Sequence, residues 1–168
     1  MPDPPGRPIH YAFIDSQNLN LAIRSQGWVL DFGKFRTYLR DKYRVTKAFL
    51  FIGYVKGNEP MYLALQKQGY VVIHRPTLIG SDGKIKGNVD ADLVLHTMIQ
   101  FPEFDQATIV SNDGDFYCLV EYLIGQGKLL HLMIPNRKTY SSLFRRFGQY
   151  RRFMDGLQQR LGKYTTIP

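Results

Sequence analysis

The chain has 168 residues, 44% of them hydrophobic, and carries 22 Lys and Arg against 14 Asp and Glu, a formal net charge of +8. This length suits one hydrophobic core rather than two, no apolar run approaches the roughly 18 residues of a membrane span, and Cys118, the only cysteine, excludes an internal disulfide and a Cys-rich zinc site. The expected protein is a single domain over residues 1–168 in a reducing cytoplasm, with a polar, Pro-rich lead over 1–8 that is flexible and unlike a signal peptide.

Short runs rich in Val, Ile, Phe and Tyr alternate with stretches of helical period. A strand over 9–14 leads to a helix over 19–25, and a second helix over 32–42 opens at Asp31, an N-cap with Leu30 and Phe35 placed as a hydrophobic staple. A strand over 45–54, a helix over 59–68 with Pro60 in its first turn and a strand over 70–74 follow. The Gly-, Ser- and Asp-containing stretch 80–87 reads as a mobile loop. Beyond it lie a helix over 90–99, a strand over 107–111, a helix over 116–124, a strand over 128–134 and a last helix over 141–161. The alternation predicts an α/β fold, a three-layer α/β/α sandwich around a mostly parallel sheet of about five strands.

All strands of a parallel sheet end on one edge, and the helix after each strand begins there. Asp15 follows the first predicted strand, Asp113 and Asp115 follow the fourth, and Asp90 and Asp92 open the helix that leads into the fourth. If the chain reverses direction beside the first strand, strands one and four are neighbours and their ends flank the crevice where open α/β sheets bind ligands. Several converging carboxylates repel one another and need compensation, which Mg²⁺ or Mn²⁺ supplies through oxygen ligands. The four histidines are scattered, so no competing metal chemistry stands out. Taken singly, Asp90, Asp92 and Asp115 are equally good helix caps and first-turn acids. It is the set of five that points to a metal site.

Three ordered motifs carry a resemblance: Phe13-Ile14-Asp15-Ser16-Gln17-Asn18-Leu19, Lys86-Gly87-Asn88-Val89-Asp90-Ala91-Asp92-Leu93 and Val110-Ser111-Asn112-Asp113-Gly114-Asp115-Phe116. Together they resemble the NYN domain family, in particular its LabA-like branch, within the PIN-like nuclease superfamily. The resemblance covers residues 9 to 145. It implies a PIN-like α/β/α fold and a metal-dependent endonuclease, an endoribonuclease that hydrolyses phosphodiester bonds by metal-activated water. It implies Asp15, Asp90, Asp92, Asp113 and Asp115 as metal ligands, Asn18 as the amide that orients Asp15 or the scissile phosphate, and Ser111 as support. Lys86, just before the second motif's acids, is a candidate phosphate contact. Ser16 and Asn112 stand where the family generally has Gly, which keeps open a binding or regulatory module with a vestigial site. A phosphatase-like hydrolase is a further alternative, disfavoured by the lack of a clear nucleophilic Asp motif.

From Arg137 onward the chain has eight basic residues and one acid, Asp155, so the positive charge is concentrated at this end. Leu143, Phe144, Phe147, Tyr150, Met154, Leu157 and Leu161 recur at three- and four-residue spacing, which predicts a basic C-terminal helical segment over 137–168 with an apolar stripe. Arg145, Arg146, Arg151 and Arg152 fall largely off that stripe and suit phosphate contact, although a basic amphipathic helix also suits an anionic membrane or an acidic protein. The resemblance implies RNA, single-stranded more than double-stranded, or another nucleic acid as the partner. The oligomeric state, including a homo-oligomer, stays open.

Overall fold

In the computed structural model residues 5–86 and 88–164 are described, the side chains of residues 85 and 86 excepted. Strands β1 (His10–Asp15), β2 (Val45–Tyr54), β3 (Tyr70–Pro76), β6 (Gln106–Val110), β7 (Leu129–Ile134) and β8 (Arg151–Phe153) form one sheet in the order β3-β2-β1-β6-β7-β8, with every neighbouring pair parallel. A separate antiparallel hairpin joins β4 (Leu78–Ile79) to β5 (Ile85–Lys86). The helices are α1 (Ser16–Arg24), α2 (Phe32–Tyr43), α3 (Glu59–Lys67), α4 (Asp90–Gln100), α5 (Tyr117–Gly125) and α6 (Gln158–Leu161), with 3-10 segments η1 (Gly114–Phe116) and η2 (Ser142–Tyr150).

Side-chain parity along β1 divides the core. Ala12 and Ile14 pack with Leu19, Ile23, Phe35, Leu39 and Leu161, on the face covered by α1, α2 and α6. Tyr11 and Phe13 pack with Leu93, Phe116, Leu119 and Val120, on the face covered by α4 and α5. Phe13 stacks on Phe49 at 5.1 Å between ring centroids and meets Phe104 edge-on at 5.7 Å. Asp15 shares the parity of Tyr11 and Phe13, so the strand that builds this aromatic core also directs its last side chain to the α4 side.

The expected sandwich is present, with six parallel strands rather than about five. The predicted neighbourhood of the first and fourth strands is the β1–β6 pair, and the strand order reverses there. Asp31 caps α2, its carboxylate accepting the Lys34 N–H at 3.1 Å.

Two expectations need correction. The stretch read as a mobile loop over 80–87 contains the hairpin turn, closed by Gly80 N–H to Lys84 O at 2.8 Å; strands of two residues are too short to show a period of two. Gly87 itself lies outside the described residues. The basic terminal segment is not one helix. Its first part is 3-10 with Phe147 at φ −96°, ψ 34°, its middle is β8 along β7, and only its end, α6, is helical. Gly148 disfavours a continuous helix and Gly156, at φ +85°, stops one. The apolar residues that suggested one stripe serve both faces of the sheet, Phe144 and Phe147 on the α5 side, Met154 and Leu161 on the α2 side.

Candidate metal centre

Each acidic side chain of the site is positioned by a backbone terminus. Asp15 ends β1 and caps α1, and its Oδ1 accepts the Asn18 N–H at 3.2 Å. Asp113 caps η1, and its Oδ1 accepts the Asp115 N–H at 2.9 Å, while its own N–H donates to Ser111 Oγ at 3.0 Å. Asp90 opens α4, its N–H donating to the Asn88 side-chain oxygen at 2.8 Å. One carboxylate oxygen from each of Asp15, Asp90 and Asp113 lies within 4.8 Å of the others.

Such a group is electrostatically uncomfortable without a cation. At that separation each ionised pair repels by about 3 kcal/mol at an effective dielectric near 20. Burial, opposed by the Asn18 N–H and reinforced by the charge of Asp113, raises the Asp15 carboxyl to about 6. Burial together with the charges of Asp113 and Asp15 raises Asp90 to about 7. Asp90 Oδ2 is buried and has no hydrogen-bond partner among the described residues. An orphaned buried carboxylate oxygen between two further carboxylates fits a hard divalent cation, which takes oxygen ligands and satisfies all three at once.

The loops around the acids are tied together by amides. Asn18 Oδ1 accepts the Asn112 N–H at 2.8 Å, so the β1–α1 corner is bonded to the β6–η1 loop across the switch point. Asn112 in turn donates through Nδ2 to Thr139 Oγ1 at 2.9 Å and accepts the Asn136 N–H at 3.2 Å, which joins the same loop to the turn after β7. Asn112 does not have positive φ, so its backbone makes no demand for Gly at this position, and its buried side chain does structural service. Ser16 is buried at the start of α1. Gly114 is different: a Cβ there would lie 2.8 Å from Ser141 Cβ, inside van der Waals contact.

Of the five expected ligands, three converge. Asp92 instead pairs with Arg75, at the end of β3, at 2.9 Å. Residues two apart on a helix do not share a face, so Asp90 and Asp92 point to different partners. Asp115 is exposed and enters the site through its backbone, as the donor to Asp113. Ser111 Oγ accepts the Asp113 N–H, and Asn18 ties the two loops together through its side-chain oxygen. Lys86 belongs to β5, and its side chain lies outside those described. Sequence reasoning missed Asn88, Arg75 and Asn136. A signal existed for each: Asn88 stands two residues before a helix start, Arg75 stands at the carboxyl end of β3 just before Pro76, and Asn136 follows Pro135 just past β7.

The cationic side chains of the terminal segment are spread out. Arg145 and Arg152 are exposed, and Arg146 pairs with Glu121 at 3.6 Å with both side chains mostly exposed. Arg151 is half-buried, donates to the Tyr140 hydroxyl at 2.7 Å and packs on the rings of Tyr140 and Phe153. Among the described residues no helix is long and apolar enough to cross a membrane.

The sequence model of the NYN domain matches residues 11–152. No curated protein sequence matches the chain. A crystal structure of a protein of unknown function from Vibrio parahaemolyticus superposes with a TM-score of 0.76 at 20% identity, over 96% of this chain and 99% of that one, a likeness of fold.

Proposed function

The chain belongs to the NYN domain family, and from that premise we propose that it is a metal-dependent endonuclease of the LabA-like branch, a single cytoplasmic domain that cleaves phosphodiester bonds in RNA, single strands in preference to duplexes. The observation that carries this reading is the convergence of Asp15, Asp90 and Asp113 at the β1–β6 switch point, with a buried Asp90 oxygen that has no hydrogen-bond partner among the described residues.

These three carboxylates would hold Mg²⁺ or Mn²⁺. When bound, the cation supplies charge neutralisation at the phosphate and activation of a water at neutral pH. The protein's own part is positional. Asn18 fixes the spacing between the Asp15 and Asp113 loops, Ser111 and the Asp115 N–H fix the Asp113 carboxylate, and Asn88 fixes the start of α4. Arg145, Arg146 and Arg152 on the basic edge are proposed to contact phosphates, with Arg151 supporting that edge, and Lys86 is proposed to contact phosphate from the hairpin.

The test is cleavage of a panel of single- and double-stranded RNA and DNA with Mn²⁺, comparing wild type with Asp113→Asn. The expected result is Mn²⁺-dependent cleavage of single-stranded RNA that Asp113→Asn lowers by at least about a hundredfold. The amide retains the capping acceptor, so the metal-free melting temperature should stay equal or rise as repulsion is relieved. Wild-type cleavage by the variant would falsify the role given to Asp113.

A further inference from the structure

A cavity of about 670 Å³ lies on the opposite face of the sheet from Asp90, between α1, α3, the start of α2 and the end of β2. None of the three clustered acids lines it, but Ser16 does, and Ser16 follows Asp15 in the chain. Its volume falls in the range of small-molecule sites.

The chemistry of the walls is divided in a way that suits one class of ligand. Phe32, Ile52, Met61 and Leu65 give apolar surface for a flat ring. Gln17, Asn20, Asn58 and Gln68 present four carboxamides, each with a donor and an acceptor on one planar group, which is the complement of a base edge. Asn58 precedes α3 without capping it through its side chain, so that amide is uncommitted to the helix. Arg24 and Lys163 supply the cations for a phosphate, with Asp31 the one carboxylate among the described residues of the wall. We propose that this cavity binds a nucleoside monophosphate unit, its base against the apolar wall and the carboxamides and its phosphate toward Arg24 and Lys163. The choice of a nucleic-acid unit rests on the nuclease reading above; the cavity itself uses none of the acidic site.

The experiment is calorimetric titration of the four ribonucleoside 5′-monophosphates and of ribose 5-phosphate into the metal-free protein in EDTA. The variants are Asn20→Ala and Ala64→Phe, the latter placing a ring in the cavity from an exposed lining position of α3, with Leu63→Phe as control on an exposed residue of α3 outside the cavity. At least one mononucleotide should bind with a Kd of about 1 mM or tighter, ribose 5-phosphate should bind at least tenfold more weakly, and Ala64→Phe and Asn20→Ala should weaken binding while Leu63→Phe does not. Binding by ribose 5-phosphate equal to the nucleotides, unchanged binding by Ala64→Phe and Asn20→Ala, or no binding by any mononucleotide overturns the proposal. Asp113→Asn separates the two readings, because it should retain mononucleotide binding whatever becomes of cleavage. Competition by a short single-stranded oligoribonucleotide assigns the subsite to a substrate strand, and its absence assigns it to a free nucleotide; either supports the site.

Discussion

The acidic edge and the basic edge of this sheet are built on opposite principles. At the carboxyl ends of β1 and β6, the two central strands, three carboxylates come from chain positions 15, 90 and 113, and each is fixed by a strand end or a helix start. At the β8 edge, charges adjacent in the chain are dispersed: Arg151 lies against Tyr140 and Phe153, Arg152 is exposed, and Arg146 reaches Glu121. A chemical site arises where topology forces unlike segments together, whereas a charge run in sequence specifies a field more than a geometry. The short, Arg-bearing β8 also protects the sheet edge against pairing with another chain.

If the acidic edge is a cation site, its protonation and its stability must move together. Asp15 and Asp90 are raised from 3.8 to about 6 and about 7, so the folded protein keeps protons that the unfolded chain has lost. The contribution of these two carboxyls to metal-free stability should therefore fall as pH rises from about 4 to about 7, opposed by His10 and His131, whose burial lowers their pKa and makes their contribution rise. Mn²⁺ at a hundred times its Kd should add roughly 2.7 kcal/mol. Thermal melts at pH 5 and 8, with and without Mn²⁺, measure both. A pH dependence that Asp90→Asn leaves unchanged in the same melts, or a wild-type melting temperature indifferent to Mn²⁺ at pH 8, contradicts the site.

Packing at the loop apex should matter next most. Gly114→Ala forces a Cβ to within 2.8 Å of Ser141 Cβ, and we expect a loss of about 1–3 kcal/mol by chemical denaturation. An unchanged denaturation midpoint would mean that the η1 and η2 loops separate freely.

The basic edge predicts smaller and divided effects. Arg145→Gln with Arg146→Gln should leave the melting temperature unchanged, since the Glu121 pair is largely exposed, yet flatten the salt dependence of RNA binding by up to about 0.7 for each phosphate that is no longer neutralised. Arg151→Gln should instead lower the melting temperature because it removes the bond to Tyr140. Equal behaviour of the two changes would remove the distinction between exposed and packed arginines.

The sheet, its five longest strands and the convergence of Asp15 with Asp113 were legible because apolar runs and strand ends fix them. Asp90 was legible as a helix start on the same edge. The two-residue spacing of Asp90 and Asp92 on one helix already argues against a shared ligand, but Arg75 as the partner of Asp92 was not legible, because no local motif connects the end of β3 to α4. β8 was hidden for a different reason: its three residues lie between Tyr150 and Met154, which belong by spacing to a helical stripe, and only the open edge of β7 turns them into a strand. Cys118 is exposed, since α5 buries Leu119, Val120 and Leu123.

Asp90 and Asp92 provide the most direct measurement of the central claim, that Asp15, Asp90 and Asp113 form one cation site. Titration of Mn²⁺ into wild type, Asp90→Asn and Asp92→Asn, followed by the Mn²⁺ electron paramagnetic resonance signal, should show saturable binding in wild type and in Asp92→Asn. Binding should be weakened at least about tenfold in Asp90→Asn, while loss of the half-exposed Arg75 pair should cost Asp92→Asn no more than about 1 kcal/mol of stability. Undiminished Mn²⁺ binding in Asp90→Asn, or its loss in Asp92→Asn alone, would contradict the account.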